Sequence, residues 1–310
     1  EDPQLEQGQI LNTQKSVDKF LKTLKKTGCQ MNETLFVFEN TGIYSSLLAL
    51  VLSENSLDYA QVPALEIKRS LWITRGKSDK VDAKEIAHYA KRNTDKIALS
   101  TLPELSLQQL KIVFAEREKT VAAIKTFERT KENEMFLTKE VFNSVKAINN
   151  QTVKHLKKQL VMLDEKIRTL IREDENLYGQ QQLLKSIPGI GDITSVYILM
   201  ATKGFTAFTS GRKFACYSGV APFEHSSGTS IKGKTRVSHL ADKKMKTLLH
   251  MASLTAIKYD PELKDYYNRK KAEGKHTMLV LNNIKCKMVY RIFAVIQRKS
   301  NFVNLHKFAA

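Results

Sequence analysis

The sequence predicts an α/β domain, then a helical coiled coil, then a mainly α C-terminal domain with a helix-hairpin-helix. Three observations carry this. Two short apolar runs in the first hundred residues, Thr34–Phe38 and Tyr59–Val62, read as buried strands set between helical stretches. From about Pro103 the apolar residues take heptad spacing, and Val153, Leu156, Leu160, Leu163, Ile167 and Leu170 repeat at intervals of 3, 4, 3, 4 and 3. Beyond Leu183, Ile187-Pro188-Gly189-Ile190-Gly191 sets a tight turn between two helical stretches. The expected domains are 1–103, 104–180 and 181–310.

In the first domain Val17–Lys26 has helical spacing. The strand over Thr34–Phe38 ends at Glu39, and Asn40-Thr41-Gly42 breaks it before a helix over Tyr44–Leu52. Pro63 stops the second strand, because proline has no N–H for the ladder. Another helix starts behind Ser78, an N-cap residue, and turns Val81, Ile86 and Ala90 inward. In the arm, Leu107, Leu110, Phe114, Val121 and Ile124 form a first seam that Arg117 interrupts. Two long helices are expected to join across the polar stretch Asn143–Thr152. A hairpin packed on itself and an oligomer contact both satisfy that pattern. Gly189 and Gly191 suit a turn whose backbone N–H groups reach a phosphate, and they suit a packing turn equally. Met245–Gln297 reads as helical.

The 310 residues carry a net charge of +18, with a pI near 9.6. A field of that sign attracts polyanions, nucleic acid first. Between Thr229 and Ser300 there are 17 Lys and Arg against 5 Asp and Glu, a net +12, so two-thirds of the excess sits there. Phosphate contacts are expected in this part, at Lys232, Lys234, Arg236, Lys243 and Lys244, and affinity should fall steeply with salt. Three scattered cysteines without a Cys-x-x-Cys pair argue against structural zinc and for a reducing cytosol. No apolar run approaches the roughly 18 residues a membrane span needs, no signal peptide is visible, and no P-loop is present.

Two groups of residues carry chemistry. Asp79 and Asp82, at i and i+3, share one face of the predicted helix, and Glu39 ends a strand. Three such hard oxygen donors suit Mg²⁺ or Mn²⁺ beside a phosphate. Acids at a helix start also complement its macrodipole. The second group is Ser226-Ser227-Gly228, between an apolar run and a basic one. A hydroxyl, a permissive glycine and nearby cations suit attack on a phosphodiester, although the tripeptide alone reads as a loop.

Four motifs occur in order: Glu39-Asn40-Thr41-Gly42-Ile43-Tyr44; Lys77-Ser78-Asp79-Lys80-Val81-Asp82-Ala83; Ile187-Pro188-Gly189-Ile190-Gly191; and Gly219-Val220-Ala221-Pro222 with Ser226-Ser227-Gly228. Over nearly its whole length the chain resembles transposases of the insertion-sequence one-ten (IS110) family, which includes the Piv-type DNA invertases. The resemblance implies a RuvC-like domain of ribonuclease-H type, a coiled-coil arm and a C-terminal transposase domain. It implies an Asp-Glu-Asp-Asp metal site, matched by Glu39, Asp79 and Asp82, and a nucleophile at Ser227, with Ser226 as the adjacent alternative. It further implies double-stranded donor and target DNA, a structured bridge RNA as guide, a dimer or tetramer, and a place on the nucleoid in a bacterial cytoplasm. The tetrad's first Asp belongs on a strand ahead of the Val17 helix. Residues 1–14 offer only Asp2, with no apolar strand around it, so that ligand is expected outside this chain. Ala241 stands where the family pattern has Gly. Two other functions fit the same residues: a RuvC-like junction nuclease without a covalent serine, and a catalytically inactive nucleic-acid binder.

Overall fold

The computed structural model describes residues 7–70, 78–129, 135–227, 231–237 and 241–304, with the backbone alone for 43, 223–227 and 231–236. Helices dominate it, and the chain divides into two compact units, Glu1–Pro103 and Glu104–Ala310.

In the first unit, helix α1 (Gln14–Lys26) is capped by Thr13, whose side chain accepts the Ser16 N–H. Strand β1 (Phe36–Glu39) is followed by helix α2 (Ile43–Glu54) and strand β2 (Tyr59–Val62), then helices α3 (Ala64–Ser70) and α4 (Asp79–Arg92). The two strands pair in parallel, from Phe36 opposite Tyr59 to Glu39 opposite Val62. Parallel neighbours need a crossover, and α2 supplies it. Period-2 alternation then sorts side chains to two faces. Phe36, Phe38 and Tyr59 pack with Val17, Leu21 and Leu52 of α1 and α2. Leu35, Val37, Ala60 and Val62 pack with Ile67 and Tyr89 of α3 and α4. The Tyr89 hydroxyl donates to Glu66 Oε1 at 2.6 Å and ties α4 to α3. Helices thus cover both faces of a small parallel sheet.

The second unit opens with α5 (Leu105–Glu128) and α6 (Lys139–Glu173). Their cross-links run in opposite senses along the two helices: Ser106 to Asp174 at 2.6 Å, Arg117 to Asp164 at 2.6 Å, Lys157 to Glu128 at 2.8 Å. The helices are therefore antiparallel. Leu107, Leu110, Phe114 and Ile124 are buried on one, and Phe142, Val153, Ile167 and Leu170 on the other. The expected join across Asn143–Thr152 is wrong: that stretch lies inside α6, which starts at the Thr138 cap. Its polar residues occupy the outward side of an amphipathic helix, while Phe142 and Val153, eleven residues or three turns apart, continue the inward side.

Next come α7 (Glu175–Lys185), α8 (Asp192–Thr202), α9 (Gly211–Tyr217), an antiparallel hairpin of β3 (Pro222–Ser227) and β4 (Ile231–Val237), and then α10 (Lys243–Tyr259), α11 (Pro261–Ala272) and α12 (Thr277–Arg298). Val280, Ile284, Met288, Ile292 and Val295 bury one side of α12 in a core that also takes Leu107, Leu110, Ile167 and Leu170. The base of the α5–α6 pair and the C-terminal helices share that core. Inside it Asp260, 1% exposed, caps α11 and meets Arg291 at 2.5 Å.

Candidate active site

Ser226 and Ser227 are the last two residues of β3, opposite Lys232 and Ile231 of β4. The expected loop is therefore a strand end, and only Gly228 of the tripeptide lies beyond it, outside the described residues. The reason is the partner strand: Ile231, Thr235 and Val237 are β-branched and supply a ladder that a bare Ser-Ser-Gly cannot announce. An irregularity between Phe223 and His225 bends the pairing. Lys232, Lys234 and Arg236 occupy alternate positions of β4. The side chains of these three cations and of both serines lie outside the described residues.

Both feet of this hairpin are anchored. Asn282 Nδ2 donates to the Val220 carbonyl at 2.8 Å, and the Asp242 N–H donates to the Tyr217 carbonyl at 2.9 Å. Asp242 Oδ1 accepts the Met245 N–H at 2.9 Å as the N-cap of α10. Its Oδ2 accepts both the Tyr197 and Tyr217 hydroxyls, at 2.9 and 2.8 Å. Burial, then the bond to Asp242, pushes both phenols well above the usual tyrosine range. This clasp was missed in the sequence. Asp242 offers a capping signal, but no spacing links it to tyrosines 45 and 25 positions away.

A titration tests the clasp. The folded form keeps two protons that an unfolded chain releases near pH ~10, so their contribution to stability is whole below that pH and declines as pH rises through the folded values. Asp242→Asn removes the anionic acceptor. Both phenols should then ionise at lower pH in a spectrophotometric tyrosine titration; a curve superimposable on the wild type would refute the assignment.

The turn Ser186–Gly191 joins α7 to α8. Gly189 has φ of +94°, and a Cβ there would lie 2.3 Å from the Ala252 carbonyl oxygen of α10. Its glycine is required by packing. Gly191 is exposed, stands at the N-cap of α8 and has no atom within 4 Å of a Cβ position. Lys185 and Asp192 pair at 2.6 Å, which puts a carboxylate in the first turn of α8, where a phosphate would otherwise be received. Lys243 is exposed in the first turn of α10, and Lys244 is paired with Glu118 of α5.

In the first unit Ser78 Oγ accepts the Val81 N–H, which sets Asp79 and Asp82 in the first turn of α4. This helix packs on β1, which ends in Glu39. Asp79 is exposed and lines a cleft of about 710 Å³ with Gly8, Gln9, Ser78 and Ala83; Asp82 and Glu39 are half-buried. One turn past Asp82, Glu85 Oε1 is buried with no hydrogen-bond partner among the described residues, another feature missed in the sequence. The donor chemistry suits Mg²⁺ or Mn²⁺. Among the described residues no group of three or more His, Cys, Asp or Glu side chains closes on a common point. Nor, among them, is any helix long and apolar enough to cross a membrane.

Comparison with known proteins gives these features a context. A DEDD transposase model of the IS110 group matches residues 2–133, which hold Glu39, Asp79 and Asp82. The model described as transposase IS116/IS110/IS902 family matches residues 181–268, which hold Ser227. A pilin gene-inverting protein of Moraxella bovis is 28% identical over 271 residues, covering 86% of this chain and 81% of the relative. An uncharacterized 42 kDa protein of insertion element IS900 from Mycobacterium paratuberculosis is 33% identical over 134 residues, 42% of this chain and 33% of the relative. An uncharacterized 43.6 kDa protein of insertion element IS110 from Streptomyces coelicolor is 33% identical over 100 residues, 32% of this chain and 24% of the relative. With an acid-bearing α/β unit matched by one transposase model and a serine-bearing hairpin matched by the other, the chain belongs to the IS110/IS116/IS902 family of transposases.

Proposed function

We propose that this transposase cuts and rejoins DNA strands through a serine–DNA intermediate, with a structured bridge RNA choosing the sites. The observation that carries the reading is the order of the two family matches on one chain, acids in the first and Ser227 in the second. The name of the Moraxella relative, a pilin gene-inverting protein, fits rearrangement of DNA segments. The DEDD match and the three-layered α/β arrangement of the first unit support a RuvC-like fold there. A dimer or tetramer suits the exchange of strands between two duplexes. Ile112, Ile148 and Met162, 61%, 64% and 72% exposed on the α5–α6 pair, support such an association. We place the protein on the bacterial nucleoid.

In the proposed step Ser227 Oγ attacks the scissile phosphorus. A P–Oγ bond forms, the P–O bond to the departing strand breaks, and the hydroxyl proton ends on the released oxygen. Attack by an incoming strand hydroxyl reverses this, so no ATP is consumed. Lys232, opposite Ser226, and Lys234 and Arg236 further along β4 offset phosphate charge. The DEDD match implies dependence on a divalent metal, Mg²⁺ or Mn²⁺, which when bound neutralises phosphate oxygens. Glu39, Asp79 and Asp82 are the proposed ligands.

The acids give the test. Asp79→Asn or Asp82→Asn should slow metal-dependent cleavage of a labelled duplex by ~100-fold, the loss expected when a charge-neutralising ligand goes. Duplex affinity should stay near wild type. Undiminished cleavage by both variants would overturn the metal role.

A further inference from the structure

Lys285 is 3% exposed, in the middle of α12, with Leu281, Met288 and Val289 buried around it. No carboxylate or hydrogen-bond acceptor pairs with its ammonium among the described residues. Its neighbour in charge is another cation, Lys246 of α10. Burial first, and then the Lys246 charge, draw the Lys285 ammonium below the ordinary lysine value. A buried ammonium within reach of a second cation's charge is unfavourable unless an anion joins them.

Their place in the fold says which anion. Lys285 lies three residues past Asn282, whose amide holds the Val220 carbonyl at the first foot of the β3–β4 hairpin. Lys246 lies four residues past Asp242, which holds the second foot through Tyr217. Spacings of three and four keep residues on one helix face. The two lysines therefore bracket the root of the strand pair that carries Ser227 and the alternate cations of β4. The α10 to α12 segment, with 13 Lys and Arg against 4 Asp and Glu, also carries half of the positive excess of the chain.

We infer that Lys246 and Lys285 form a phosphate seat at the foot of the serine hairpin, occupied by one backbone phosphate of the DNA strand that the hairpin engages. This rests on the functional reading above. A different explanation of Lys285 alone is a stem laid along the core with its head reaching water.

The measurement is duplex-DNA binding by fluorescence anisotropy over a range of NaCl concentrations, with the full chain. Each phosphate neutralised adds about 0.9 to the slope of log affinity against log salt. The Lys246→Met/Lys285→Met variant should lose about 0.9 of slope and bind all duplex sequences more weakly, while Lys285→Arg keeps the wild-type slope. An unchanged slope in a double variant that melts at or above the wild-type temperature would overturn the seat and favour the stem explanation. So would a slope lost on a structured RNA probe alone. If the double variant does not fold, Lys246→Gln at the half-buried position serves instead, with the same two readings. Wild-type protein that binds no duplex at all sinks the functional reading, a result distinct from failure of the lysine pair.

Discussion

Ser227→Ala is expected to remove every covalent protein–DNA adduct while leaving duplex binding near wild type. The side chain loses one oxygen, and with it the only atom that forms the P–O link in the proposed step. Binding rests on phosphate contacts spread over the basic C-terminal part, so one neutral substitution leaves it standing. Ser226→Ala, one position back on β3 and opposite Lys232, should keep the adduct. The assay is a nicked, end-labelled duplex that traps the intermediate on a denaturing gel. A wild-type yield of adduct from Ser227→Ala removes the nucleophile assignment. Cleavage by the wild type with no adduct at any time identifies a junction nuclease working through activated water.

Gly189→Ala should be the most destabilising single methyl in the second unit. The added carbon meets the Ala252 carbonyl oxygen at 2.3 Å and the Ala256 amide nitrogen at 3.0 Å, both backbone atoms of α10 that cannot rotate away. The φ of +94° adds strain for any residue with a side chain. Together these cost ~4 kcal/mol, a fall of ~10 °C in melting temperature for a unit of this size. Gly191→Ala, with open space at its Cβ position, should cost under ~1 kcal/mol. Equal losses for the two would show that the turn is not seated on α10. A loss of DNA affinity confined to Gly191→Ala would identify the open N-terminus of α8 as a phosphate contact.

Much of the fold was legible because its signals are local. The strand at Tyr59–Val62 lies where its apolar run and Pro63 place it, the Ser78 cap starts α4, and Val153, Ile167 and Leu170 of the heptad run are buried. The join between α5 and α6 was misread because polarity was taken for a break. Phe142 and Val153, which flank Asn143–Thr152, keep the helical spacing of the buried side, and spacing outweighs composition in a helix. The serine tripeptide was misread for the converse reason. A strand end depends on a partner, and that partner's ladder is invisible in three residues.

Sequence alone determined the charge asymmetry, the order of the acids and the serine, and the faces that helices and strands bury. Those follow from periodicity and capping within a few residues. Only the tertiary structure decided that Gly189 rests on α10, that Asp242 gathers Tyr197 and Tyr217 at the hairpin foot, and that Lys285 is buried within reach of the Lys246 charge. Each of these joins residues far apart along the chain. Their meeting is set by how the helices pack, and packing leaves no fixed spacing in the sequence to read.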